Sequence, residues 1–255
     1  MQLAQRYGMT SLEIRTLQGS NDLIENLKVC FGSRELAARE AGTLPLPICA
    51  LDSSVRVITP EPEDRSELLA LAPWADALKV PSIRVFDGRP RQGPYGANHT
   101  RQVRDFFDWW QHAREEYGWQ VDVIVETHDV LLTTETIQRF QADLPQPATI
   151  LWDTHHTWVK GGEDPVTTWD AIQAWVGHIH VKDKRLPSAN DEGGFALPGQ
   201  GDFPFTPLLT RLNNDHYAGP VSLEWERFWK PELPSLEAAL EACAQADWWN
   251  SRTSK

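Results

Sequence analysis

Four apolar, β-branched runs in this chain each end on a side chain able to hold a divalent cation. VDVIVETH brings Glu126, ATILWDTHH brings Asp153, HIHVKD brings His180 and GPVSLEWE brings Glu224. Three carboxylates and one imidazole make a mixed oxygen and nitrogen donor set, suited to one Mn²⁺, Mg²⁺, Co²⁺ or Zn²⁺ ion. Strand alternation puts Glu126 and His128 on one face, His178, His180 and Lys182 on another, and Glu224 with Glu226 on a third. Val125, Ile179, Val181, Leu223 and Trp225 fall on the opposite, apolar faces. A cation so held can polarise a bound oxygen, and a carboxylate beside it can move a proton.

Donors so far apart in sequence meet only in a fold that gathers strand ends. A β/α barrel does this, because the C-terminal ends of all its strands converge on one face. Strand-like runs lie near residues 12 to 16, 47 to 51, 82 to 87, 121 to 127, 148 to 153, 177 to 182 and 220 to 225. Helical stretches alternate with them, near 22 to 41, 65 to 78, 101 to 117, 133 to 143, 166 to 175, 205 to 215 and 234 to 249. The pattern predicts an α/β fold, a TIM-type (β/α) barrel with seven recognisable strands, filling residues 1 to 255 as a single domain. MQLAQRYG reads as a helix where a first strand is expected, so the barrel lacks that strand and has an edge on which a homodimer could form. Two long loops, 87 to 100 and 184 to 205, follow strand ends on the donor face and should shape the substrate pocket.

Composition narrows the function. A net charge of -12 without a basic face argues against nucleic-acid binding. The short cluster Lys182, Lys184 and Arg185 is the densest positive charge, placed to hold an anionic or polyhydroxyl substrate. Cys30, Cys49 and Cys243 have no metal spacing and read as core fillers in a reducing cytoplasm. The start has no basic region followed by an apolar stretch, and no run approaches the roughly 18 apolar residues of a membrane span, so a soluble, cytoplasmic protein is expected.

Glu126, the D-x-x-H of Asp153 to His156, the H-x-x-D of His180 to Asp183, the GQGD loop at Gly199 to Asp202 and the Glu224-bearing VSLEWE come in a fixed order. Together they resemble the xylose isomerase-like TIM barrels, the sugar phosphate isomerase/epimerase superfamily, over nearly the whole chain from SLEIRT onward. The resemblance implies one divalent ion, Mn²⁺ first, held by Glu126, Asp153, His180 and Glu224. It also implies that Glu126 and Glu224 are the acid/base pair and that His156 contacts substrate. Leu186 stands six residues beyond His180, where the ketohexose epimerases have an arginine, and the HIHVKD wording is closer to inosose dehydratase-like members.

The expected activity is isomerisation or epimerisation of a small sugar, keto-sugar or polyol-derived carbonyl compound through a metal-stabilised enediolate. The alternatives are a metal-dependent dehydratase of the inosose dehydratase type, an endonuclease IV-like phosphodiesterase, which the acidic chain disfavours, and a non-catalytic binding barrel. Lys182, Arg84 and His128 join His156 as candidate substrate contacts. Glu13, Arg15, Asp52 and Arg84 lie near earlier strand ends, where intramolecular ion pairs compete with substrate binding. His178 rivals His180, His155 is read as a residue supporting the donors from behind or as packing, and Glu226 as a partner of the donors or a surface ion pair. His99 is read as an exposed loop residue, and the tryptophan doublets at 109 to 110 and 248 to 249 as helical.

Overall fold

The computed structural model describes residues 1–89, 95–189 and 192–248. Seven parallel strands form its main sheet: β1 (Leu12–Ile14), β2 (Ile48–Ile58), β3 (Ser82–Gly88), β4 (Asp122–Glu126), β5 (Ile150–Asp153), β6 (Val176–Val181) and β9 (Val221–Leu223). They neighbour one another in that order, and all seven coincide with the runs expected from sequence. Between them lie α1 (Gln2–Arg6), α2 (Leu23–Phe31), α3 (Arg34–Glu40), α4 (Pro62–Ala77), α5 (Ala97–Tyr117), α6 (Thr134–Asp143), α7 (Pro165–Ile172), α8 (Phe205–Asn214) and α9 (Leu236–Gln245). The succession of strand and helix is what parallel pairing requires, since each strand must return to the same end of the sheet.

Val85, Val123, Val125, Ile150, Ile179 and Val181 are buried in the sheet, packed with Leu68, Phe106, Ile137, Phe140 and Leu208 of the helices. β1 and β9 are the two ends of the strand order and do not pair. A cavity of about 730 Å³ opens between them, lined by Leu12, Glu13, Val221 and Leu223. Across this gap the Glu13 carboxylate of β1 reaches His180 of β6, each oxygen 2.9 Å from Nε2, so the sheet curls into a nearly closed barrel.

Several local expectations need correction. The helix expected over 22 to 41 is two helices, because Gly32 turns the chain at φ 73° and Ser33 caps α3 by accepting the Leu36 N–H. Within the loop 184 to 205, β7 (Asp183–Arg185) pairs antiparallel with β8 (Gly194–Ala196), so part of it is a hairpin. His99 is not an exposed loop residue: it lies in the first turn of α5, buried, its Nδ1 accepting the Gly96 N–H. Of the cysteines only Cys243 is fully buried, and Cys30 is exposed. Trp248 lies beyond the end of α9, while Trp249, residues 90–94 and residues 190–191 lie outside the described residues. No described helix is long and apolar enough to cross a membrane.

Two buried aspartates fix the loops of the donor face. Asp87, near the end of β3, accepts the backbone N–H groups of His128, Asp129, Val130 and Leu131 at 2.8 to 3.1 Å, shaping the turn after β4. Asp183 does the same for the GQGD loop, accepting from Gly199, Gly201 and Phe203 at 2.8 to 3.1 Å. Gly201 is obligatory there, since a Cβ would lie 2.2 Å from Asp183 Oδ1. Replacing Asp87 with alanine leaves several buried N–H groups without their acceptor. We expect Asp87→Ala to destabilise the protein by about 3 kcal/mol, seen as a lower urea midpoint at unchanged slope.

Candidate metal centre

Glu126 and Asp153 are the last residues of β4 and β5, His180 is next to last in β6, and Glu224 follows β9. The register pairs Asp153 with His180 across adjacent strands, so the two share a face. One ligand atom from each of Glu126, Asp153, His180 and Glu224 can be chosen so that all four lie within 4.8 Å of one another. Glu126, Asp153 and His180 are at most 1% exposed, and Glu224 is half-buried.

Both Glu126 oxygens, Asp153 Oδ2 and His180 Nδ1 are buried without an aligned hydrogen bond. Arg84 and Lys182 offset Glu126 Oε2 and Asp153 Oδ2 as ion pairs, whereas Glu126 Oε1 and His180 Nδ1 each cost roughly 1–3 kcal/mol if nothing satisfies them; all four belong to the same cluster. A divalent cation would satisfy them together, so the donor set fits the group that its chemistry implies. His180 also carries the support common at metal-bound imidazoles, a carboxylate on the far ring nitrogen, supplied by Glu13. Two of the rival groupings are already closed: Asp87 is occupied by backbone N–H groups, and His178 Nε2 lies 2.7 Å from Ser222 Oγ and 3.3 Å from Glu13.

Charge alternates through the cluster. Arg84, 2% exposed, has Nε 3.1 Å from Glu126 Oε2 and Nη2 3.5 Å from Asp52 Oδ2, the ion pairs expected as one of its roles. Lys182 is buried too, with Nζ 2.9 Å from Asp153 Oδ2, 2.9 Å from Glu226 Oε1 and bonded to Glu224 Oε2. Burial pushes Glu126 up to about 7 against the pull of Arg84. Although burial opposes it, Glu224 is held well below the usual carboxylate range by Lys182 and His180, and Asp153 is lowered by His156 and Lys182. Burial works against the His180 imidazolium, but Glu13 and Glu224 hold its pKa well above the ordinary value.

The substrate-contact candidates surround this cluster. His156 opens the irregular turn His156–Lys160 after β5; its Nδ1 lies 2.9 Å from Thr127 O, and burial lowers its pKa to about 3. A carbonyl only accepts, so Nδ1 carries the proton and Nε2 is left as an acceptor. His128 lies just past β4, its ring 4.6 Å from both Phe86 and His156 and its Nδ1 3.1 Å from Asp129. His155 packs on Phe195 of the hairpin at 5.4 Å, as a packing residue should, yet neither ring nitrogen has a hydrogen-bond partner. Among the described residues Arg15 makes no ion pair: it donates to Asp52 O and Ser54 Oγ and lies over Trp229. Asp87 escaped sequence reading, because an aspartate ending an apolar run looks the same whether it meets a metal or backbone N–H groups.

The model of the xylose isomerase-like TIM barrel family matches residues 1–249. The chain belongs to that family. Among curated relatives of this xylose isomerase-like barrel, an inosose dehydratase of Lacticaseibacillus casei is 32% identical over 109 residues, 37% of this chain and 36% of the relative. The match therefore spans little more than a third of that relative's length. Among solved structures, the probable 3-DHS dehydratase AsbF from Bacillus anthracis superposes with TM-score 0.75 and 18% identity, covering 98% of this chain and 92% of that one. The IolI protein, solved with a bound zinc atom, gives TM-score 0.72 and 17% identity, covering 100% and 93%.

Donors must shed protons before they can bind a cation. In the metal-free protein Glu126 takes up a proton as pH falls through about 7, so affinity for the cation should drop below that pH. We expect Zn²⁺ or Mn²⁺ titrations at pH 6, 7 and 8 to show one ion per chain, tightening as pH rises and releasing protons in calorimetry. Glu126→Gln or Asp153→Asn should weaken binding by at least about a hundredfold.

Proposed function

We propose that this barrel is a metal-dependent dehydratase of a small polyhydroxylated ketone, removing water by abstracting the proton beside the carbonyl. The observation that carries the reading is the unequal setting of the two glutamates. Glu126 is buried with no aligned hydrogen bond, its Oε2 facing the Arg84 guanidinium, which keeps its protons, at 3.1 Å, whereas Glu224 is bonded to the buried Lys182 ammonium. One carboxylate is thus set up as a base, and the other belongs to an acid couple. Its match to inosose dehydratases supports the same direction.

A bound divalent cation, held by Glu126, Asp153, His180 and Glu224, supplies positive charge that polarises the substrate carbonyl. Glu126 accepts the proton from the adjacent carbon. As the carbon–carbon double bond forms, the β-hydroxyl departs and Lys182 gives it a proton, so that water leaves and an unsaturated ketone remains. Glu126 then yields its proton to solvent and Lys182 recovers one. Arg84 fixes the Glu126 carboxylate from behind, and His156 Nε2 accepts a hydrogen bond from a substrate hydroxyl.

Isomerisation or epimerisation, the first expectation from sequence, becomes the second reading. Epimerisation by a two-base route needs carboxylates of comparable freedom on the two faces of the substrate carbon, and the Lys182 ion pair works against this for Glu224.

The test uses inosose with the Zn²⁺- or Mn²⁺-loaded protein in D₂O. Mass spectrometry should show a product lighter by one water, and Lys182→Met should still incorporate deuterium into recovered substrate while dehydrating about a hundredfold more slowly. A stereoisomer or ketose isomer formed without water loss would reverse the order of the two readings.

A further inference from the structure

Above the donor cluster the barrel mouth carries a feature to which no role has been given. β2 runs for 11 residues, against five in β4 and four in β5, and its pairing with β3 shifts between Asp52 and Arg56. Beyond that shift Arg56 is the register partner of Phe86, and Phe86 is the partner of Glu126. Register partners on adjacent strands share a face, so Arg56 overlooks the same mouth as Glu126, two strand spacings or roughly 10 Å away. A cavity of about 480 Å³ lies at this point, walled by Arg56, Thr59, Phe86 and His128. His128 in turn touches His156, which lies 3.3 Å from the Asp153 donor, so the cavity leads toward the cluster.

The other charges on this wall are committed. Arg89 pairs with Asp129 at 2.9 Å, Asp64 accepts the backbone N–H groups of Arg56 and Glu61, and Glu61 stands at the positive end of α4. Among the described residues, the Arg56 guanidinium makes no hydrogen bond or ion pair. The adjoining backbone is also held in a costly shape. Thr59, a β-branched residue, sits at φ 54°, kept there by Gln102 on its N–H and by its hydroxyl donating to Arg89 O. Strain of this kind persists where surrounding contacts impose it, and it gathers at ligand sites.

We propose that Arg56 is the recognition residue of an anion subsite, and that the substrate is a polyhydroxylated ketone bearing a carboxylate. This deepens the dehydratase reading and rests on it for the placement of the ketone. A single planar guanidinium bordered by Glu61 and Asp129 suits a monoanionic carboxylate, which it can engage through two parallel N–H donors; a dianionic phosphate would meet the flanking acids.

The test is calorimetric and needs no turnover. Quinate, a cyclic polyol carboxylate, myo-inositol, its uncharged counterpart, and myo-inositol 1-phosphate are titrated into metal-loaded wild-type, Arg56→Gln and Arg56→Lys proteins. We expect wild type to favour quinate over myo-inositol by about tenfold or more. Arg56→Gln should abolish that preference with myo-inositol binding unchanged, and Arg56→Lys should retain part of it. Equal binding in wild type, including no measurable binding of either, would overturn the proposal. So would a quinate preference that survives in Arg56→Gln, which would place the carboxylate on the metal, or phosphate bound more tightly than quinate. Failure of the underlying metal site is read separately, as loss of the ion from wild type.

Discussion

Placing carboxylates, imidazoles, a guanidinium and an ammonium together inside a barrel mouth is the constraint on which this structure turns. Glu13, Asp52, Arg84, Glu126, Asp153, His180 and Lys182 are nearly or fully shielded from solvent. A lone charge in such a place costs several kcal/mol, so each must face an opposite one. The sequence meets this by setting acids and bases on neighbouring strands: Asp52, Arg84 and Glu126 follow one another across β2, β3 and β4. Asp153, Lys182 and Glu224 repeat the alternation on the other side. Glu126 Oε1 and His180 Nδ1, which would face a cation, are among the buried atoms left without an aligned hydrogen bond.

Much of this was legible because a parallel barrel writes its chemistry in one place, at the ends of apolar runs. Strand alternation assigned His178, His180 and Lys182 to one face correctly, yet it says nothing about depth. Lys182 therefore reads as a rim contact in the sequence and proves to be enclosed by three carboxylates. The break at Gly32 and Ser33 was hidden by helix-forming residues on both sides, although a glycine followed by a capping serine is its signature. Arg56 was out of reach for a different reason. The polar Asp52, Ser53 and Ser54 end the apolar run, and only pairing with β3 reveals that the strand continues to Ile58.

Membership of the xylose isomerase-like barrels fixes the frame but leaves the reaction to a few contacts. In the proposed reaction the lysine beside Glu224 sets that carboxylate apart from Glu126, and strand alternation delivers it two positions after His180. The loops above are set by two aspartates that organise backbone N–H groups and touch no donor, so the rim can change in sequence while its anchors stay.

The Glu13 bridge has a mechanical side. A cylinder of strands stitched all the way round has a girth set by its strand count and stagger, but this one is a hoop with a slit between β1 and β9. At the slit no ladder hydrogen bond joins the two edges, and side chains alone span it. The clasp is an ion pair on the very imidazole that faces the donors, so the contact that spans the slit also orients one of them.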